Sequence, residues 1–100
     1  MIKSSVSIQV LPKTANNTQG EVFAIVDKVI AYIASTGLRY VVGPMETTVE
    51  SDSLDTLVEI VREAQKICIN QGANSVSTYV KFVYSEEGVP TINEKIEKYS

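Results

Sequence analysis

The chain has 100 residues, 44% of them hydrophobic and 21% charged, with Lys and Arg numbering 9 against 12 Asp and Glu for a net charge of −3. This describes one ordinary globular domain, expected to span residues 1–100, with enough apolar material for a core. The absence of histidine and the single cysteine exclude an intramolecular disulfide, remove the usual general base and leave no cluster for zinc, while the acidic balance gives no electrostatic reason to bind nucleic acid.

Ser4–Leu11 alternates, with Val6, Ile8 and Val10 on one side and Ser5, Ser7 and Gln9 on the other. Period two predicts a half-buried strand, with Pro12 expected to end it and Lys13–Gln19 to form a loop. This alternation is unlike the apolar core of a signal peptide, and no apolar run reaches the roughly 18 residues of a membrane span. A cytoplasmic location without a membrane partner is expected. Thr18 and Glu21 have capping-box spacing. Val22, Ile25, Val26, Val29, Ile30 and Ile33 then recur at spacings of three and four, which predicts an amphipathic helix closed by Gly37.

Two short runs rich in β-branched and aromatic residues, Leu38–Val42 and Met45–Glu50, flank Gly43-Pro44 and predict a hairpin. Its register is open, because a bulge at the turn would exchange the two sets of side chains on the second strand. Ser51–Asp55 carries N-cap residues and first-turn acids. Leu54, Leu57, Val58, Val61, Ala64 and Cys68 form a second helical stripe, closed by Gly72. Cys68 within it is expected to be buried and inert. Val76–Tyr84 alternates as a fourth strand. After the loop Ser85–Pro90, Thr91 and Glu94 repeat the capping box before Ile92, Ile96 and Tyr99, so a last helix is expected to pack on the domain.

The order β-α-β-β-α-β predicts an α+β, ferredoxin-like fold. One antiparallel four-stranded sheet carries both long helices on one face, with an extra C-terminal helix. The other face is expected to present Ser5, Ser7, Gln9, Arg39, Val41, Tyr79, Lys81 and Val83 with one set from Met45–Glu50. Such a half-apolar, half-hydrogen-bonding surface suits either an oligomer interface or a small-molecule site. Tyr40, Met45, Thr47 and Glu50 fall close together along the hairpin and can hold a small polar ligand.

The run S-x-Q-V-x-P in the first strand, then G-L-x-Y, G-P-M-x-T-x-x-E, an acidic helix start, G-A-x-x-V and a late E-K-I together resemble the small single-repeat thiamine-binding protein family, relatives of the YkoF-type thiamine and hydroxymethylpyrimidine binders. The resemblance covers nearly the whole chain and is most specific from Gly37 to Glu50. It implies a ferredoxin-like fold, a homodimer or homotetramer, and binding of thiamine or its hydroxymethylpyrimidine moiety without catalysis or cofactor. The chain departs from the family pattern at Ser51, where a glycine commonly follows the glutamate. It has a single repeat where the larger relatives have two, so any two-repeat site would join two subunits.

For such a ligand Glu50, or Glu46, would pair with a ring nitrogen or offset the thiazolium charge. Tyr40 would stack on a ring, Ser7, Gln9 and Thr47 would hydrogen-bond the aminopyrimidine, and Met45 would supply an adaptable apolar wall. The competing function is a regulatory or structural oligomer that binds another small metabolite. An enzyme is not expected, since a nucleophile–base pair is hard to assemble from these residues. The basic and aromatic strand motif of an RNA-recognition domain is also missing.

Overall fold

A computed structural model of the chain describes residues 1–99. In chain order the elements are β1 (Ser4–Lys13), α1 (Gln19–Ser35), β2 (Tyr40–Val42), β3 (Thr47–Ser51), α2 (Leu54–Asn70), β4 (Ser75–Tyr84) and α3 (Ile92–Glu97). The sheet order is β2-β3-β1-β4, and every neighbouring pair is antiparallel. The fold is the expected ferredoxin-like arrangement with an added C-terminal helix. No helix among the described residues is long and apolar enough to cross a membrane.

Capping fixes where the helices begin. Thr18 accepts from the Glu21 amide at 3.2 Å while the Glu21 carboxylate reaches back to Thr18, completing the capping box of α1. Ser53 caps α2 by accepting from the Thr56 amide at 3.2 Å, and Thr91 with Glu94 repeats the reciprocal box at α3. Gly37 follows α1 with φ of 76°, a conformation in which a β-carbon is strained.

The core lies between the sheet and the two long helices. Val6, Ile8 and Val10 of β1 and Val49 of β3 meet Ile25, Val29 and Ile33 of α1 and Leu57, Ile60, Ala64 and Cys68 of α2. Ile33, Leu57 and Val49 are almost wholly excluded from solvent. Cys68 is buried in the same cluster, and burial pushes its thiol pKa up.

Two boundaries differ from the sequence expectation. Pro12 does not end β1, which continues to Lys13 and pairs with β4 along its whole length. From Gln9 onward β1 has a neighbour on one side only, because its ladder with β3 stops at the pair Ile8↔Thr47. Proline is tolerated in such a one-sided stretch, where the missing N–H need not interrupt a ladder. The hairpin strands are also shorter than expected. Gly43–Glu46 forms the tip, closed by the Gly43 amide donating to the Glu46 carbonyl at 2.9 Å, so Met45 and Glu46 belong to the turn rather than to β3.

The register settles the hairpin faces. Thr47 pairs with Ile8 and Val49 with Val6, which puts both side chains on the helix side. Thr48 pairs with Ser7 and Glu50 with Ser5, which puts these on the outer face.

Candidate functional site

The register divides the six sequence-named residues between two faces. Tyr40 pairs with Val49 and packs against the core from the helix side. Thr47 shares that side and is 7% exposed. Met45 sits at the exposed hairpin tip. Ser7 and Gln9 alternate onto the outer face with Glu50. Tyr40, Met45, Thr47 and Glu50 therefore do not converge as one group.

The first cavity is a slot of about 170 Å³ between the hairpin tip and α1. One wall is apolar, from Val26, Val29, Ile30 and Ile33 of α1; the other is the tip, Val42–Thr47; the floor is Ile8, Gln9 and Val10. Three of the sequence-named residues, Gln9, Met45 and Thr47, border this slot. Its floor has a specific property. Gln9 and Val10 pair only with β4; alternation along β1 turns the Gln9 backbone groups to β4 and leaves the Val10 N–H and C=O facing the side that β3 has vacated. The slot thus combines apolar walls, the Thr47 side chain and an unpaired strand edge.

The second cavity, of about 330 Å³, lies on the outer face. The sheet contributes Ser5, Ser7, Val41, Thr48, Lys81 and Val83, and α3 roofs it with Ile92, Lys95 and Ile96. Glu46 borders both cavities. Its carboxylate pairs with the Lys81 ammonium at 3.3 Å. The nearby Ser7 hydroxyl, followed by Lys81, holds the Glu46 pKa below the usual carboxylate range. The same Ser7 hydroxyl is shielded from solvent yet closes no hydrogen bond of good geometry. We take it as a neighbour of the carboxylate rather than a bonded partner.

Glu50 has a role the sequence did not disclose. It is 7% exposed, and its Oε1 accepts from the Ile92 amide at 2.6 Å. The carboxylate thereby anchors the first turn of α3 to the sheet. A second tie comes from Arg39, whose Nη2 donates to Asn93 Oδ1 at 2.7 Å. Ser51 is itself buried, and its hydroxyl accepts from the Ser53 amide at 3.0 Å at the entry to α2. Among the described residues, no group of three or more His, Cys, Asp or Glu is placed to hold a metal ion.

The fold and its cavities define the class: a ferredoxin-like domain with a small slot between its β2-β3 hairpin and α1. The chain belongs to the thiamine-binding protein family, whose sequence model matches residues 6–100. It is 47% identical over 95 residues to a UPF0045 protein of Clostridium perfringens, covering 95% of each chain. A Bacillus cereus domain of unknown function superposes with a TM-score of 0.86 at 38% identity, over 100% of this chain and 93% of that one. A Thermotoga maritima protein provisionally designated a thiamine biosynthesis/salvage protein superposes with a TM-score of 0.83 at 32% identity, over 98% of this chain and 99% of that one.

Proposed function

We propose that the protein binds thiamine or its hydroxymethylpyrimidine moiety in the slot under the hairpin, without converting it, in cytoplasmic transport, salvage or sensing. The observation that carries this reading is the open β1 edge at Val10 on the floor of an otherwise apolar slot. An aminopyrimidine is flat and presents donors and acceptors along its edge, as a strand does, and unpaired backbone groups are strong partners for it. Thr47 adds a hydroxyl on the helix side, and Met45 an adaptable cover. Glu46, kept ionised at the rim by its neighbours, favours a cationic thiazolium there. Tyr40 lies on the same side of the sheet; Ser7 and Glu50 fall outside the slot. The family and the designation of the Thermotoga maritima relative support the same ligand class.

Adjacent threonines that face opposite sides test it. Isothermal titration with thiamine and with hydroxymethylpyrimidine should show binding to the wild type. Thr47→Val should weaken it roughly fivefold, the value of one neutral hydrogen bond, and Thr48→Val should leave it unchanged. The reverse pattern would move the ligand to the outer face. Absence of heat with both compounds would favour the competing function, a regulatory or structural oligomer for another metabolite.

We also infer a homodimer or homotetramer. The outer face beyond α3 leaves Tyr79 64% exposed beside Leu11, and β4 is an edge strand with exposed Val83 and Tyr84. Unprotected edges and apolar patches of this kind pair with other chains. Light scattering at micromolar concentration should report a mass above that of one chain; a monomer would overturn the inference.

A further inference from the structure

The outer-face cavity is about 330 Å³ against about 170 Å³ for the slot, and its charge is of the opposite sign. Two lysines, Lys81 and Lys95, border it against one glutamate, Glu46. Lys81 is already committed to Glu46 at 3.3 Å. Lys95 is exposed, one turn along α3 from Ile92, and closes no ion pair among the described residues. Around it, Val41 and Val83 of the sheet face Ile92 and Ile96 of the helix. The Ser7 hydroxyl, beside the Glu46 carboxylate, is also on this wall. An apolar chamber with one uncommitted cation matches an amphipathic anion, whose body displaces water from the valines and isoleucines while its carboxylate meets the ammonium.

The roof is a part that can move. The helix α3 has 6 residues, too few to persist without tertiary contacts. It is tied down by the Glu50 carboxylate at the Ile92 amide, 2.6 Å, and by Arg39 at Asn93, 2.7 Å. Release of these ties would lift Lys95, Ile92 and Ile96 together and open the chamber to a ligand.

We propose that the chamber between the outer sheet face and α3 is a second binding site, independent of the slot, for a small aromatic or aliphatic carboxylate, with α3 as its lid and Glu50 as the latch. The test uses the full chain, isotopically labelled, with indole-3-acetate as the anionic probe and tryptamine as the same ring with a cation. Indole-3-acetate at millimolar concentration should shift the Val41, Thr48, Val83 and Ile96 amides along one saturable curve, also when thiamine is present at saturation. Tryptamine should not. Lys95→Glu should weaken the probe about tenfold, the value of one charge-assisted contact, while Lys95→Arg should retain it. Glu50→Gln should accelerate amide exchange at Ile92 and weaken the probe. The proposal is overturned by the absence of a saturable shift, by equal response to both probes, or by unchanged affinity in Lys95→Glu. It is equally overturned by shifts confined to the slot, or by ligand-free, concentration-dependent shifts showing that a second copy of the chain occupies this face.

Discussion

Leu57→Ala is expected to lower the unfolding free energy by about 2–5 kcal/mol, the range for a large-to-small change at a site that cannot collapse. Leu57 is 0% exposed and is the first residue of the buried face of α2, which continues through Ile60, Ala64 and Cys68. It belongs to one core cluster with residues of β1, β3 and α1, and elements braced by separate hydrogen-bond ladders and caps cannot all close on one vacated volume. The chain has no tryptophan, so the measurement is urea denaturation followed by far-ultraviolet circular dichroism. The midpoint should fall with little change in slope, since the surface exposed on unfolding is nearly the same. A loss under about 1 kcal/mol, below that range, would mean that α2 does not seat on the sheet as described.

The second large effect is expected at the hairpin tip. A β-carbon placed on Gly43 would lie 2.8 Å from the Glu46 carbonyl oxygen, the same atom that accepts from the Gly43 amide at 2.9 Å. The φ of Gly43 is outside the left-handed region, so the requirement for glycine here is one of space. Backbone cannot swing away as a side chain can, and Gly43→Ala must therefore spread the turn. The cost is expected at about 1–3 kcal/mol, as for other overpacking. Because Gly43, Pro44 and Met45 are one wall of the slot, the same change should weaken thiamine or hydroxymethylpyrimidine about tenfold or more, or roughly 1.4 kcal/mol and upward. Denaturation and titration of the same sample check both. Unchanged stability would refute the close approach, and unchanged affinity in a destabilised tip would detach the ligand from the slot.

Most of the architecture is written in short-range signals. The two capping boxes at Thr18 and Thr91, the spacing from Val22 to Ile33 and the alternation from Val6 to Val10 each signal a local structure in residues that are neighbours in sequence. What stayed hidden depends on pairing between distant residues. Pro12 reads as a stop until it is known that β1 has lost its β3 neighbour there. Thr47 and Thr48 are interchangeable in composition, and only the register Ile8↔Thr47 tells which one faces α1. Glu50 reads as a ligand contact because a carboxylate beside a hairpin has no visible partner in the sequence. Its partner, the Ile92 amide, is 42 positions away. The Thr91 box signalled that a helix began there, but not which side chain would hold it down.

The same central strand governs the order in which the domain can be assembled. β1 is the first element of the chain, yet it completes its ladders only with β3 and β4, through pairs such as Ser4↔Ser51 and Ser4↔Tyr84. During synthesis the strand at the middle of the sheet must wait for the last strand to be made. Contacts this distant in sequence close long loops before they are rewarded, which slows folding relative to helical chains of equal length. Until then the apolar side of β1 and both of its edges are available to any other nascent strand. A domain with β1 between β3 and β4 therefore depends on its last strand to complete the sheet.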